Sequence, residues 1–331
     1  MGRERPDLPE VLELLPNPSD YLNMETIESK RLAEAKQRKA PWKFWGPYLS
    51  ERQWGTVRED YSPGGNAWEY FPHDHARSRA YRWGEDGIAG ISDDQCRLCL
   101  SLALCNGQDS ILKERFFGLT NSEGNHGEDV KELYYYLDAT PTHSYLKMLY
   151  KYPQRAFPYA QLVEENDRRK SDPSQPEFEL LDTGIFDDDR YWDVFVEHAK
   201  AGPDDILMRV TVHNRGPEAA TIHLLPQLWF RNTWAWKPDA TRPELSLSNR
   251  GAISAKHETL GEYTLHLNGE TEVLFCDNET NARRIFGLAD AKGHFKDAFD
   301  EYLVHGNPAA VNPEQTGTKA GVLHQVTVPA G

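Results

Sequence analysis

The sequence predicts a mainly β protein, a large antiparallel β-sandwich with a short N-terminal helix and long loops. Hydrophobic side chains alternate with polar ones in several segments, which is the period of a strand with one buried face. Turn sequences separate these segments, and no regular alternation of strands with helices is present. Trp, Tyr and Phe together make up 11% of the chain, and such rings fit the pleated surface of a sheet.

The first 41 residues are predicted to form an arm followed by a helix. Residues 1–19 contain four prolines, which favour an extended arm: Pro6, Pro9, Pro16 and Pro18. Residues Thr26–Lys39 are rich in helix formers, with an acid early and bases late, as suits a helix dipole. Pro41 ends this helix, so the sandwich domain is expected to occupy residues 42–331.

Strands account for most of the predicted structure after that point. The clearest segments are Arg97–Leu104, Tyr191–Glu197, Met208–His213, Thr221–Phe230, Tyr263–Asn268, Glu272–Cys276 and His324–Val328. Asn268-Gly269, which lies between two apolar runs, predicts a β-hairpin. The charged segment Glu164–Glu177 predicts an exposed loop.

Charge and hydropathy exclude several classes of function. The 331 residues include 52 acidic and 37 basic side chains, a net charge of −15. A nucleic-acid groove needs a positive surface, so no nucleic-acid partner is expected. Mean hydropathy is −0.70, and no apolar run reaches the roughly 18 residues of a membrane helix. The charged N-terminus lacks a secretory leader, so we expect a cytoplasmic protein without a membrane partner.

Cysteine and histidine motifs leave two interpretations open. Cys96 and Cys99 form a C-x-x-C motif, either half a metal or redox site or a pair of structural thiols. His73-Asp74-His75 would place two imidazoles on one face of a strand, as a metal site requires, but no third ligand is evident nearby. Asp187–Asp189 lacks the spacing and glycine of a calcium loop. The structural alternatives are favoured, so no metal and no cofactor are predicted.

Two polar segments carry the candidate site residues. The segment Trp45–Tyr61 mixes aromatic and ionisable side chains, and the segment Asn121–Glu132 combines carboxylates with glycines. Acid–base chemistry and a hydrogen-bonded loop that ties two sheets together are both compatible with the second segment. The candidates are Tyr48, Arg52, Trp54, Arg58, Glu123, His126, Glu128 and Asp129.

Four runs of sequence resemble a known family. They are WGPYLSERQWGTVREDY at 45–61, NSEGNHGEDVKE at 121–132, LYKYPQ at 149–154 and LLPQLWFRNTW at 224–234. They are similar to the N-terminal part of bacterial proteins related to glycoside hydrolase family 63, which includes the processing α-glucosidase I. The resemblance extends from about residue 42 to the end of the chain. It implies a β-super-sandwich that precedes a catalytic (α/α) toroid, and this toroid is absent from the sequence.

The resemblance implies a function for the whole chain. The chain would be the non-catalytic N-terminal domain, or a fragment, of a glucosidase-like hydrolase acting on α-glucosides or oligosaccharides. Its partners would be its own C-terminal catalytic domain and the oligosaccharide substrate. The family's acid and base lie in the toroid, so no catalytic residue is expected here and the chain alone should be inactive. The eight candidates then become residues of the pocket rim or of the domain interface, or purely structural residues.

Two other functions remain open at the level of sequence. A stand-alone carbohydrate-binding sandwich would use exposed rings as stacking platforms, with Trp68, Trp83, Trp192 and Trp236 as candidates. A mutarotase-like sugar epimerase would need a histidine and a carboxylate on one concave sheet surface. Its candidate histidines are His213, His223 and His266.

Overall fold

The computed structural model describes residues 25–51, 72–81, 87–119, 129–172, 174–236, 239–248, 251–269 and 271–331. Within these ranges the protein is mainly β, and every strand pairing is antiparallel, which confirms the predicted class. The strands are β1 (Trp45–Tyr48), β2 (Ile88–Asp93), β3 (Leu98–Cys105), β4 (Gly118–Leu119), β5 (Asp129–Val130), β6 (Tyr134–Ala139), β7 (Tyr145–Pro153), β8 (Tyr191–Gly202), β9 (Asp205–Asn214), β10 (Ala220–Phe230), β11 (Glu244–Leu247), β12 (Ala252–His257), β13 (Gly261–His266), β14 (Glu272–Cys276), β15 (Thr316–Gly317) and β16 (Lys319–Val328). The α-helices are α1 (Ile27–Lys36), α2 (His73–Ala76), α3 (Tyr159–Arg169), α4 (Ala282–Phe286) and α5 (Ala298–Leu303).

A six-stranded main sheet, ordered β1-β2-β3-β10-β16-β14, forms the centre of the fold. Two four-stranded sheets cover one of its faces: a second sheet, β6-β7-β8-β9, and a third sheet, β13-β12-β11-β15. The main sheet contributes alternate residues of β10 to this core, such as Ile222 and Leu228. The second sheet contributes Trp192 and Val194, and the third contributes Ile253. This is a sandwich whose second layer is divided between two sheets.

The opposite face of the main sheet is partly polar. The intervening residues of β10 point to this side: His223, Leu225, Gln227 and Trp229. Leu225 packs there with Phe299 of α5. Gln227 is buried on the same face, among the charged residues described below. The two faces of one strand therefore serve an apolar core and a charged cluster.

The N-terminal helix is close to the prediction. Thr26 caps α1 by accepting a hydrogen bond from the backbone N–H of Ser29 at 3.1 Å. The helix is fixed to the sandwich by polar contacts, because Glu28 accepts a hydrogen bond from the Thr142 backbone N–H at 2.7 Å. None of its side chains is fully buried, so it is a surface helix.

Three local predictions are wrong. Asn268-Gly269 does not close a hairpin, since β13 pairs with β12 in the third sheet and β14 pairs with β16 in the main sheet. The predicted loop Glu164–Glu177 overlaps α3, which continues to Arg169. Leu162 and Asn166 are the buried residues of this helix, and charged residues form its exposed face. His73 and His75 lie in α2 rather than in a strand, and His73 is buried whereas His75 is only half-buried.

Candidate functional site

Three consecutive charged residues, Lys113, Glu114 and Arg115, are all buried. Their exposed fractions are 1%, 5% and 5%. They lie between the buried Leu112 and Phe116, in a segment that runs beside β3 through a bridge between Leu104 and Lys113. Buried charges are tolerated only when paired and hydrogen-bonded, so each of the three requires partners.

Lys113 belongs to a cluster rich in tyrosine. Its ammonium donates to the Glu132 carboxylate at 2.7 Å and to the Tyr159 hydroxyl at 3.1 Å. Tyr150 donates to the other oxygen of Glu132 at 2.8 Å. Burial raises the pKa of the neighbouring Asp109 to about 6, although the Lys113 ammonium opposes that rise. The Glu132 carboxylate thus neutralises the Lys113 ammonium, and aromatic rings surround the pair.

Glu114 turns to the polar face of the main sheet. It accepts from the Lys319 ammonium at 2.6 Å, from Arg115 at 2.8 Å and from the Gln227 amide at 2.9 Å. Burial alone would raise the pKa of Glu114, but the Lys319 and Arg115 cations outweigh it and lower this pKa to about 2. The carboxylate is therefore ionised at every physiological pH.

His73 of α2 closes the cluster from one side. Its ring stacks on Tyr159 with centroids 5.6 Å apart and meets the edge of Phe117 at 5.1 Å. Burial lowers the pKa of His73 well below its ordinary value, and the charges of Lys113, Arg115 and Arg77 lower it further. The imidazole is neutral and packs against aromatic rings. Residues two apart on a helix do not face each other, so His73 and His75 do not form the paired ligands that the metal interpretation of His73-Asp74-His75 requires.

The described ends of the two candidate segments meet beside residues 116–119, which we call the junction. Glu51 accepts a hydrogen bond from the Phe116 backbone N–H at 2.8 Å through its carbonyl, and His73 packs on Phe117. Leu119 pairs with Asp129, and the Lys131 backbone N–H donates to the Phe117 carbonyl at 3.0 Å. Described residues that flank positions 52–71 and 120–128 therefore lie close together at the junction.

An exposed aromatic strand adjoins the junction. Phe116 packs against Tyr134 of β6 with ring centroids 4.5 Å apart, and Tyr48 packs against Tyr136 at 4.6 Å. Tyr135, Tyr136 and Leu137 are 46%, 48% and 47% exposed. We call these three residues the β6 patch. β6 is an edge strand of the second sheet, so the patch lies at the margin of the sandwich.

The structure describes few of the predicted site residues. Tyr48 is half-buried, and burial together with the nearby Tyr145 and Glu51 raises its pKa. Asp129 is placed by its backbone, in β5 opposite Leu119. The other six lie outside the described residues: Arg52, Trp54, Arg58, Glu123, His126 and Glu128.

Sequence patterns missed the buried charges. Lys113–Arg115 has the composition of an exposed turn, and only its position between Leu112 and Phe116-Phe117 hints at burial. The partners lie far along the chain: Glu132 is 19 residues from Lys113, and Lys319 is 205 residues from Glu114. No local pattern connects residues at such separations.

The residues of the two alternative functions are dispersed. Trp192 is 1% exposed and belongs to the core, Trp236 is 48% exposed, and Trp68 and Trp83 lie outside the described residues. His213 packs against Phe195 in the second sheet. His223 is in the main sheet, on the face turned away from the other two sheets, and His266 is in the third sheet. These three histidines do not share one concave surface.

The described part of the chain contains one group of side chains with the spacing of metal ligands. Asp300, Glu301 and His305 bring their ligand atoms within 4.8 Å of one another. The Arg77 guanidinium lies 3.6 Å from the Asp300 carboxylate and already neutralises it, which opposes a second cation. None of the four cysteines, Cys96 included, forms a disulfide.

Comparison with known proteins gives one informative match. Over 343 aligned residues the chain is 45% identical to the uncharacterized protein YMR196W of Saccharomyces cerevisiae (strain ATCC 204508 / S288c). The alignment covers 92% of this chain but 31% of the yeast protein, so the chain spans about a third of the length of the curated relative it matches. No protein-family model and no solved structure matches. None of the helices in the described ranges is both long and apolar enough to span a membrane.

Proposed function

We propose that this chain is the non-catalytic sandwich domain of a glucosidase-like glycoside hydrolase acting on α-glucosides or oligosaccharides. In this proposal the sandwich packs on a catalytic domain of the same polypeptide and shapes the rim of its pocket. The observation that carries the proposal is the meeting of the candidate segments at the junction. The described ends of two segments that carry the resemblance are thereby held at one site of the sandwich.

The hydrogen-bonded cluster around Lys113 supports this role by making the junction rigid. Lys113, Glu132 and Tyr150 are joined by short hydrogen bonds directly beneath Phe116 and Phe117. A fully satisfied network in a low-dielectric interior fixes one geometry, because every broken bond would leave a buried polar group unpaired. A rigid base suits segments that must hold their positions against another domain.

The carboxylates of this cluster support a non-catalytic assignment. A glycosidase acid must reach the glycosidic oxygen and hold its proton near neutral pH. Glu114 fails the second condition, because its pKa is lowered to about 2. Asp109 has a pKa raised to about 6 but is 4% exposed and enclosed by tyrosines. Both serve as structural counter-charges.

The β6 patch is the proposed contact with the catalytic domain. Exposed aromatic and apolar side chains on an edge strand are typical of a sheet margin that another domain covers. The patch adjoins the junction through Tyr134 and Tyr136, so a domain seated on the patch would also lie beside the junction. The yeast relative is about three times as long as the aligned region, which leaves room for such a domain there.

The proposal is tested by measuring glucose release from α-glucosides. The samples are the isolated chain, the product of the full open reading frame that contains it, and the full-length yeast relative. We expect no activity from the isolated chain and activity from the longer polypeptides. Activity of the isolated chain that disappears with Glu123→Gln would overturn the proposal, as would inactive longer polypeptides with every α-glucoside tried.

A matched pair of variants tests the interface. Tyr136→Arg in the active longer polypeptide should weaken domain packing and lower both activity and thermal stability. Leu288→Arg changes an exposed side chain of 56% exposure in the loop after α4 and should leave both unchanged. Equal effects of the two substitutions would remove the β6 patch from the proposal.

Carbohydrate binding by the sandwich alone remains a second candidate on the strength of Trp236. This ring is 48% exposed, and the Arg231 guanidinium lies 5.7 Å from its centroid. Titration of maltooligosaccharides into the isolated chain, with Trp236→Ala as the comparison, distinguishes the two functions. Saturable binding that Trp236→Ala abolishes would favour the second candidate.

A further inference from the structure

A cleft of about 430 Å³ lies between the second and third sheets, outside the candidate site. Its floor is the apolar face of the main sheet, with Leu100, Leu228 and Val322 at the bottom. One wall is β9 and the other is β13. Protein interiors are normally close-packed, so an apolar space of this size suits an occupant.

The walls present their backbone edges to the cleft. Residues 204–208 line one side consecutively, and residues 263–268 line the other. Side chains alternate between the two faces of a strand, so consecutive residues share one cleft only when the edge of the strand faces it. β9 and β13 are edge strands of their sheets, and no described strand pairs with their outer sides.

We infer that this cleft binds an extended peptide segment, which adds a strand between the second and third sheets. Peptides commonly bind by pairing with an exposed sheet edge, while alternate side chains enter pockets. Here the edge supplies hydrogen-bonding groups and the floor takes apolar side chains at every second position. A small apolar molecule would leave the backbone groups of both edges unused.

The charges of the cleft specify one end of the peptide. Asp204 and Asp205 are exposed where the walls come together, and the Tyr263 hydroxyl donates to Asp204 at 3.2 Å across the gap. His266 and His324 are the ionisable side chains farther along the cleft. A lysine or arginine next to the two aspartates would complement their charge. The ligand class is therefore an alternating apolar peptide with a basic residue at one end.

The test uses a fluorescein-labelled peptide, acetyl-Lys-Val-Thr-Val-Thr-Val-Ser-Val, and fluorescence anisotropy with the full chain. We expect saturable 1:1 binding, and absence of binding up to about 1 mM would overturn the inference. The control peptide has the same side chains but N-methyl groups on alternate backbone nitrogens. It should not bind, because strand pairing needs those N–H groups. Equal binding of both peptides would overturn strand addition.

Two variants locate the binding site. Leu265→Trp places a larger ring in the cleft and should weaken binding by about tenfold or more. Glu262→Trp changes an exposed residue of the same strand that does not line the cleft, and it should change the affinity by less than about twofold. Circular dichroism confirms that each variant is folded. Unchanged binding by Leu265→Trp would overturn the inference.

Other occupants give distinct results. Displacement of the labelled peptide by the neutral probe N-phenyl-1-naphthylamine, together with binding of the N-methylated control, would identify a site for small apolar molecules instead. A dimer in light scattering that Leu265→Trp dissociates would identify a second copy of the chain as the occupant. Either result would overturn the peptide assignment.

Discussion

Removing the charge of Glu114 should destabilise the protein strongly. Glu114→Gln preserves the size of the side chain but removes the carboxylate charge that the buried Lys319 ammonium faces at 2.6 Å. An ion pair broken on one side costs about 3 to 5 kcal/mol, because the remaining charge is buried without compensation. The amide keeps one accepting oxygen, so the substitution removes the charge and one of the two hydrogen-bond acceptors.

The pKa of Glu114 gives an independent magnitude. The difference between the ordinary value of 4.5 and about 2 in the folded state corresponds to about 3 kcal/mol. The unfolded chain binds more protons between these two pH values, so the contribution is complete above pH 4.5 and is lost as the pH falls towards 2. The free-energy difference between wild type and Glu114→Gln should therefore shrink in acid.

Urea denaturation followed by circular dichroism at pH 7 and pH 3 measures both effects. We expect a loss of about 3 kcal/mol at pH 7 and a smaller loss at pH 3. The double variant Glu114→Gln with Lys319→Met should be less destabilised than Glu114→Gln, since one uncompensated cation is gone. Glu262→Gln, which removes an exposed carboxylate near Lys256, is the control and should change little. A loss below about 1 kcal/mol, or one that does not depend on pH, would refute the reasoning.

Three further predictions concern other parts of the molecule. Desolvation lowers the pKa of Lys200 to about 8 while its ammonium donates to the Trp42 and Trp45 carbonyls at 2.6 Å. The unfolded chain therefore binds more protons than the folded chain between pH 8 and 10.5. The stability of wild type relative to Lys200→Met should rise with pH across that range, and urea titrations of both proteins measure it. A difference that does not change with pH would contradict the prediction. Ellman's reagent should label one thiol of the folded protein, Cys96, because the other three are buried, and a second fast-reacting thiol would contradict this burial. Trp192→Ala should cost about 3 to 5 kcal/mol, whereas Trp236→Ala should cost far less, and equal shifts of the urea midpoint would contradict their different burial.

Much of the secondary structure follows from local patterns. The strand predicted at Thr221–Phe230 agrees with β10 within one residue, and the strand predicted at Glu272–Cys276 coincides with β14. Thr26 and the composition that follows it predict α1. These predictions succeed because propensity, capping and the alternation of buried side chains all act over a few neighbouring residues.

Local patterns fail where the answer depends on a distant partner. Asn268-Gly269 has the composition of a hairpin turn, but β14 is paired with β16, some fifty residues later in the chain. Glu164–Arg169 is helical because Leu162 and Asn166 pack inward, although its charges suggest a loop. The candidate site depends in the same way on long-range contacts at the junction.

The sequence by itself determined that this protein is mainly β and where its clearest strands and first helix lie. Tertiary structure alone decided which strands became neighbours and how Lys113 and Glu114 could be buried. The physical reason is that side-chain period fixes which residues share a face but not which strand lies beside them. A buried charge, likewise, is stable only once chain folding brings its counter-charge from elsewhere, as Lys319 reaches Glu114 across the main sheet.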